Sequence, residues 1–513
     1  MLTETVTILL SATSLFAAGV SVTDIATRAT SLGGSYRALS DDWSGMYWNP
    51  AGITQINGWH AGFTAELVWP VAAYKPALRY DSTFSVTRQT ATRNETQILL
   101  APCGGVVRKY SDKLSVGLGA WAPVGLGAKW DLLDTGYYNS KIPEYDYENA
   151  IKTFDIHPTV AYQLNDMLSI GAGIGLVYAD IMILQPIFSK NPYFGEKIKG
   201  YYLYNDLAGR RIKDSIETAG GLRSNFSTLI AESELYVSGF GYSVNLGVMV
   251  KINDQLQIGI SGRYYGDLKV KGTVNATMYY ADNAEVQQLL DNKWRIDTTS
   301  DFTPRALLEA ACNNGDLKEY EKNAIINAYS DTTAQLYTDA KAIASLPLPP
   351  DAGIGISYKA INENDRHLIL CADFQYTFCS VWNVIDVDIN NGEDTFQFVQ
   401  NWNNSFRVSL GIEYKMNPAW TLRSGYFHEK NAGVTKTLTP TFPDINPRNS
   451  VNLGFQFTVR PDIALHFGYE TIFFREQTFD NWEYNEPNNV YNNMAGTYNL
   501  HVHNLMLGLD YNF

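Results

Sequence analysis

The chain has 513 residues, with 39 basic against 53 acidic side chains and a formal net charge of −14. So acidic a surface, with no Lys/Arg cluster to offset it, repels phosphate backbones and argues against nucleic-acid binding. The 33 Tyr, 23 Phe, 11 Trp and 40 Gly, set against only 18% charged residues, are unusual for a soluble enzyme and suit alternating strands.

Val6 to Val20 is the one stretch apolar enough to be a targeting or spanning segment, and it closes on the small residues Ala17, Ala18 and Gly19. It reads as a secretory signal peptide over residues 1–19, with a short buried helix as the alternative; Glu4, with no Lys or Arg beside it, departs from the usual basic start. Elsewhere no window approaches the ~20 apolar residues of a transmembrane helix, so the mature chain is either soluble and exported or a β-barrel. Residues 20–58 show no strand pattern.

From residue 59 onward period-2 alternation dominates. The pattern predicts strands at Trp59–Trp69, Gln97–Lys109, Lys113–Gly127, Ile151–Gln163, Met167–Leu184, Leu235–Ile252 and Gln255–Gly272. It continues at Pro349–Ala360, His367–Ser380, Asn403–Met416, Ala419–Lys430, Asn449–Val459, Asp462–Phe479 and Asn499–Phe513. The last is the clearest, with Leu505, Leu507, Leu509, Tyr511 and Phe513 on one face and Asn504, Met506, Gly508, Asp510 and Asn512 on the other. Short turns such as Asn165-Asp166, Asn253-Asp254, Asn417-Pro418 and Pro461-Asp462 alternate with long connections, as the periplasmic and extracellular rims of an outer-membrane barrel do. The expectation is an all-β transmembrane barrel of fourteen antiparallel strands over residues 59–513, in the bacterial outer membrane. A soluble β-sandwich is the rival, but its outer faces would be polar.

Two extracellular insertions, residues 186–234 and 275–346, depart from a minimal barrel. In the second, Thr303-Pro304 has the chemistry of a helix start, and Asp316–Ala328 and Thr332–Ala344 repeat helical spacing, so a helical cap is expected there.

Within residues 20–58, Gly33-Gly34, Ala38, Asp41-Asp42 and Asn49-Pro50-Ala51-Gly52 resemble the N-terminal hatch of the FadL/TodX (OmpP1) family. The likeness continues through Pro158–Tyr162, Leu168–Gly173, Gly239–Tyr242, Leu346–Pro349, Phe406–Gly411 and the closing strand. Each motif is weak alone; the ordered set is specific. The resemblance implies a fourteen-stranded outer-membrane channel for long-chain fatty acids or other hydrophobic compounds, with the N-terminal segment as a plug in the lumen and a lateral opening at a kinked third strand. Passive, hatch-gated lateral diffusion is the expected mechanism. The local chemistry points to the same place, because Trp121, Pro123 and Gly125 fall inside that strand and proline withholds a ladder donor. Trp121 either lines the route or belongs to an interfacial aromatic belt.

Parity places Met249, Phe427 and Ile472 inward; with Met46, Tyr47 and Trp48 they are candidates to line a ligand pocket or simply to pack the plug. Arg263, Arg407 and Arg423 also face inward, as candidates for a carboxylate headgroup or as partners of inward acids such as Glu413 and Glu470. The expected partners are a hydrophobic small molecule, outer-membrane lipid and lipopolysaccharide, and the barrel-assembly machinery through the strand ending at Phe513. The barrel is expected to be monomeric. No cofactor, metal or catalytic motif stands out: Cys103, Cys312, Cys371 and Cys379 lack CxxC spacing, and the seven histidines form no recognisable set. A surface adhesin or binding protein, or a polar-solute porin on the same barrel, are the alternative functions; a porin would lack the hatch.

Overall fold

A computed structural model describes residues 24–513 apart from 78–90, 97, 134–146, 191–227, 280–293, 296–300, 303–308, 310–312, 314–332, 364, 393, 442–443, 445 and 486–489. Fourteen antiparallel strands close into one barrel. In chain order they are β1 (Trp59–Pro76), β2 (Leu99–Lys109), β3 (Leu114–Trp121, resuming at Gly125–Trp130), β4 (Tyr147–Gln163), β5 (Leu168–Lys190) and β6 (Thr228–Lys251). Next come β7 (Leu256–Tyr265, resuming at Leu268–Tyr279), β8 (Thr333–Leu346, resuming at Asp351–Asn362), β9 (His367–Thr377, resuming at Val384–Ile389) and β10 (Asp394–Val399, resuming at Ser405–Lys415). β11 (Trp420–Glu429), β12 (Arg448–Arg460), β13 (Ile463–Phe474) and β14 (Gly496–Asn512) complete the wall. β14 pairs with β1 from His60↔Asn512 to Pro76↔Gly496, which closes the cylinder.

The two faces part as the alternation requires. Leu246 is 59% exposed and Leu410 53% exposed on the lipid side, whereas the inward Asn504 and Met506 are sealed. The short turns are set by asparagine: Asn165 Oδ1 accepts from the amides of Met167 and Leu168 (both 2.9 Å), and Asn253 and Asn417 do the same for the residues that follow them. Because both chain ends of the barrel lie on this rim, Trp59 and Phe513 exchange backbone hydrogen bonds there.

Several strands run further than the alternation suggested. β5 continues to Lys190 and β6 starts at Thr228, so both ends of the expected 186–234 insertion are wall, and its residues 191–227 lie outside the described ones. The upper runs of β9 and β10, Val384–Ile389 and Asp394–Val399, pair as a hairpin beyond the expected strand ends. The largest correction concerns Thr332–Ala344, expected as helix. From Thr333 on it is strand, paired on one side with β7 and on the other with β9. Its alanines favour helix locally, but Ala340, Ala342, Ala344 and Leu346 also read with period 2, and two flanking strand edges decide the outcome. The expected helices at Thr303-Pro304 and Asp316–Ala328 lie outside the described residues.

Residues 24–58 run through the lumen as short pieces, α1 (Thr27–Ser31), α2 (Gly45–Trp48) and a 3-10 turn at Pro50–Gln55. Gly33 and Gly34 carry this segment across the wall at φ +66° and +73°; a Cβ on Gly33 would stand 2.7 Å from the Tyr426 backbone nitrogen of β11. Only glycine combines that left-handed turn with so close an approach.

Candidate functional site

The lumen has two levels. At the lower one, polar inward side chains of the wall hold the N-terminal segment. Asn49 caps the Pro50 turn by accepting from the Ala51 amide at 3.2 Å, and its Nδ2 donates to the carbonyls of Arg37 (2.9 Å) and Val248 on β6 (3.0 Å). Pro50, Ala51 and Gly52 are buried behind it, and Gly171 on β5 and Gly247 on β6 leave room for Asn49 and Pro50 against the wall.

The inward arginines are engaged at the same level. Arg407 on β10 pairs with Asp24 (2.9 Å), donates to the Gly33 carbonyl (2.8 Å) and lies over the Phe427 ring at 3.9 Å. Burial pushes the Asp24 carboxyl upward, against the pull of Arg407. On β7, Arg263 donates to the Tyr47 carbonyl, stands 3.5 Å from the Tyr47 ring centroid and pairs with Asp351 (3.5 Å). Arg423 bonds Glu413 and Gln456, each at 2.6 Å, and Glu413 also takes Arg28 of the N-terminal segment at 2.8 Å. Parity therefore placed these arginines on the inner face, where Arg407 and Arg263 fasten the segment to the wall and Arg423 joins wall strands through Glu413, which takes Arg28. Met46, Trp48, Met249, Phe427 and Ile472 are likewise packed at this level, with Met46, Phe427 and Ile472 fully enclosed. Tyr47 packs there too, and none of the six borders the chamber described below.

That chamber was not anticipated. Above the segment, the inward faces of β4 to β10 enclose an apolar cavity of about 230 Å³, lined by residues such as Ile151, Ile181, Val237, Val274, Trp382 and Phe398. It exists because the strands outrun the membrane-level wall. β7 is interrupted at 266–267, β8 at Pro347–Pro350 and β9 at 378–383, and above those breaks the inner face turns from polar to aliphatic. Trp382 anchors the step by donating from Nε1 to the Pro347 carbonyl at 2.6 Å and stacking on Trp402 at 4.8 Å. The alternation of Ala340, Ala342 and Ala344, read as helix, was the sequence signal for this region.

The third strand is broken where Pro123 falls. β2 and β3 pair only from Gly104↔Ala120 down to Lys109↔Ser115. Above that, Leu99–Cys103 of β2 pair with β1 alone, and Gly125–Trp130 of β3 pair with β4 alone. Above the gap the seam is crossed again where the Glu95 amide donates to the Lys129 carbonyl (2.9 Å) and the two side chains form an ion pair (3.7 Å). Five unpaired residues correspond to a gap about 17 Å long. Trp121 faces the lumen at its foot, with no exposed surface, edge-on to Tyr47 (5.5 Å between ring centroids) and tilted on His157 (5.1 Å).

Beneath Trp121, His157 binds Asn245 through Nε2 (2.9 Å), and Asn245 donates onward to the Met46 carbonyl. Ser243 and Asp155 both stand on the Nδ1 side of the ring, and the serine hydroxyl donates to Asp155 at 2.6 Å. Serine, histidine and acid thus meet, which the sequence reading missed because the residues come from two strands. The serine proton is committed to the acid and the group is sealed, so it ties wall to segment and presents no nucleophile.

The family described as outer membrane protein transport protein (OMPP1/FadL/TodX) matches residues 8–513. Outer membrane protein P1 of Haemophilus influenzae is 19% identical over 417 residues, covering 79% of this chain and 73% of that protein. The long-chain fatty acid transport protein of Escherichia coli K12 is 22% identical over 467 residues, covering 90% and 89%. Among solved structures, a Pseudomonas aeruginosa FadL homologue superposes with a TM-score of 0.67 at 17% identity, covering 96% of this chain and all of that one. The Pseudomonas putida toluene transporter TodX gives 0.61 at 13% identity, covering 94% and 97%.

Proposed function

This chain belongs to the OMPP1/FadL/TodX family of outer-membrane transport proteins, and from that premise we infer how it passes its cargo. It is an outer-membrane transporter of hydrophobic compounds with a fourteen-stranded wall. An apolar solute gains nothing by leaving a dry chamber for a water-filled pore, so a productive route keeps it out of water throughout. The solute enters the chamber from outside, descends to Trp121, and leaves sideways into the membrane through the seam between β2 and β3. The N-terminal segment blocks the straight path to the periplasm and, through Tyr47, holds Trp121 in the closed position. The relatives' printed cargoes, long-chain fatty acids and toluene, bound the class from which the solute comes.

The observation that carries this reading is the seam itself, an interrupted ladder with Pro123 and Gly125 inside it, whose upper run pairs with β4 at Leu126↔Ile151, Ile151 being part of the lining of the aliphatic cavity. Being closed through β1 and β14, the sheet offers no edge for another copy, in keeping with a monomer. Lipid and lipopolysaccharide surround the wall, and the assembly machinery engages the strand that ends at Phe513. The double substitution P123V/G125V, which restores the backbone donor at 123 and strand propensity at both positions, is expected to abolish uptake of labelled toluene and fatty acid by intact cells while the barrel still assembles. Undiminished uptake by an assembled variant overturns the lateral route.

A further inference from the structure

The side chains around the chamber carry a statement about cargo that the family does not make. Among the described residues no Lys or Arg lines it. Its polar members are Gln185, Ser233, Asp394 and Thr395, and Asp394, at the mouth, accepts from the Tyr337 hydroxyl at 2.8 Å. One level down, the lumen arginines are bound to Asp24, Asp351, Asp373, Glu413 and Glu429. A carboxylate drawn into this space would lose its hydration beside an acid and meet no cation.

One neutral group at the border is left without a partner. Asn149 sits on the inner face of β4, two residues before Ile151 and directly across from Ile183 of β5, both of which line the chamber. It is 1% exposed, and neither its amide nitrogen nor its amide oxygen has a hydrogen-bond partner. A buried amide whose two ends meet no protein partner is costly, and a guest that carries one donor–acceptor group satisfies it.

Resting on the reading of the chamber as the cargo site, we propose that it takes an uncharged apolar molecule, that a single neutral polar group such as a hydroxyl or carbonyl reaches Asn149, and that carboxylates of the same skeleton are rejected. Asn149 is then the specificity-determining residue and Asp394 a second guard at the mouth.

The test is equilibrium dialysis of the purified protein in detergent at pH 8 against labelled 1-octanol, octanoate and toluene. Val274→Trp, which fills the chamber, serves as the blank for micelle partitioning. Wild type is expected to bind octanol at least tenfold more tightly than octanoate. Asn149→Leu is expected to lose about five- to tenfold in octanol affinity and to hold toluene within twofold, and Asn149→Thr, which keeps a hydroxyl, to fall between. D394N is expected to narrow the octanol-to-octanoate ratio. If N149L fails to assemble, judged by gel mobility without heating, the comparison passes to N149T. Octanoate bound as tightly as octanol overturns the neutral class, and octanol affinity unmoved in the assembled Asn149 variants overturns the role of that residue. Toluene binding that persists in V274W shows that the chamber is not the cargo site; it refutes the reading beneath the proposal and is separable from the other outcomes.

Discussion

Arg407→Ala is the most direct probe of how the N-terminal segment is held. The guanidinium joins β10 to Asp24 at 2.9 Å and to the Gly33 carbonyl at 2.8 Å, and Asp24 has no exposed surface. Removing one member of so enclosed a pair leaves the other charge buried and unpaired, which costs roughly 3–5 kcal/mol. At about 1.4 kcal/mol per tenfold, the ratio of docked to released segment should fall by roughly two to three and a half powers of ten. The barrel ladders are untouched, so the loss appears as opening and not as unfolding. In planar bilayers wild type should be nearly silent and R407A should show frequent ohmic openings. D24N/R407A should close again in part, because the stranded carboxylate is gone. The sign of the pH effect follows from the same pair: burial already raises the Asp24 carboxyl, and losing Arg407 removes a group that lowers it. The defect of R407A is therefore greatest at neutral pH, where the released carboxyl is ionised, and shrinks as acid neutralises it, while D24N/R407A stays flat. Identical conductance in wild type and R407A across that range refutes the argument that this pair fastens the segment.

Trp121→Ala removes a fully enclosed indole between the seam and Tyr47, worth roughly 3–5 kcal/mol of packing; toluene entry into cells should quicken, and a slower or unchanged rate means that Trp121 is no barrier. Leu246→Arg puts a charge on the lipid face near mid-membrane, and folding into liposomes followed by urea titration should show a loss of about 2–4 kcal/mol, whereas a midpoint within error of wild type would misplace the bilayer. Deleting Phe513 removes the ring stacked on Trp59 at 5.8 Å and the last backbone bonds that shut the cylinder. Pulse-chase of the heat-modifiable form should then show slower assembly, and equal rates would free the terminus of that role.

What could be read from the residues divides along a physical line. Alternation decides which side of a strand meets lipid, and it does so one residue at a time. Leu505 to Phe513, Trp121 and the inward arginines therefore fell on the expected sides. The asparagine turns were legible for the same reason, since Asn165 and Asn253 act on amides two and three residues away. The partner of an inward group is a different matter. Arg407 meets Asp24 across 383 positions of sequence, and His157 meets Ser243 across 86, so side-chain parity gave their direction without their destination. Thr333–Leu346 failed for a third reason. Alanine satisfies either period, and the choice was made by neighbouring strand edges that no local window contains.

The division of the lumen into a polar lower floor and an aliphatic upper one has an evolutionary corollary. On the route proposed above, fastening the stopper and tasting the passenger fall to different side chains at different heights, so a change such as Val274 to a larger or smaller residue would retune one without loosening the other. Descendants of such a barrel can shift diet by exchanging a few methyl groups while the bolt below stays as it was.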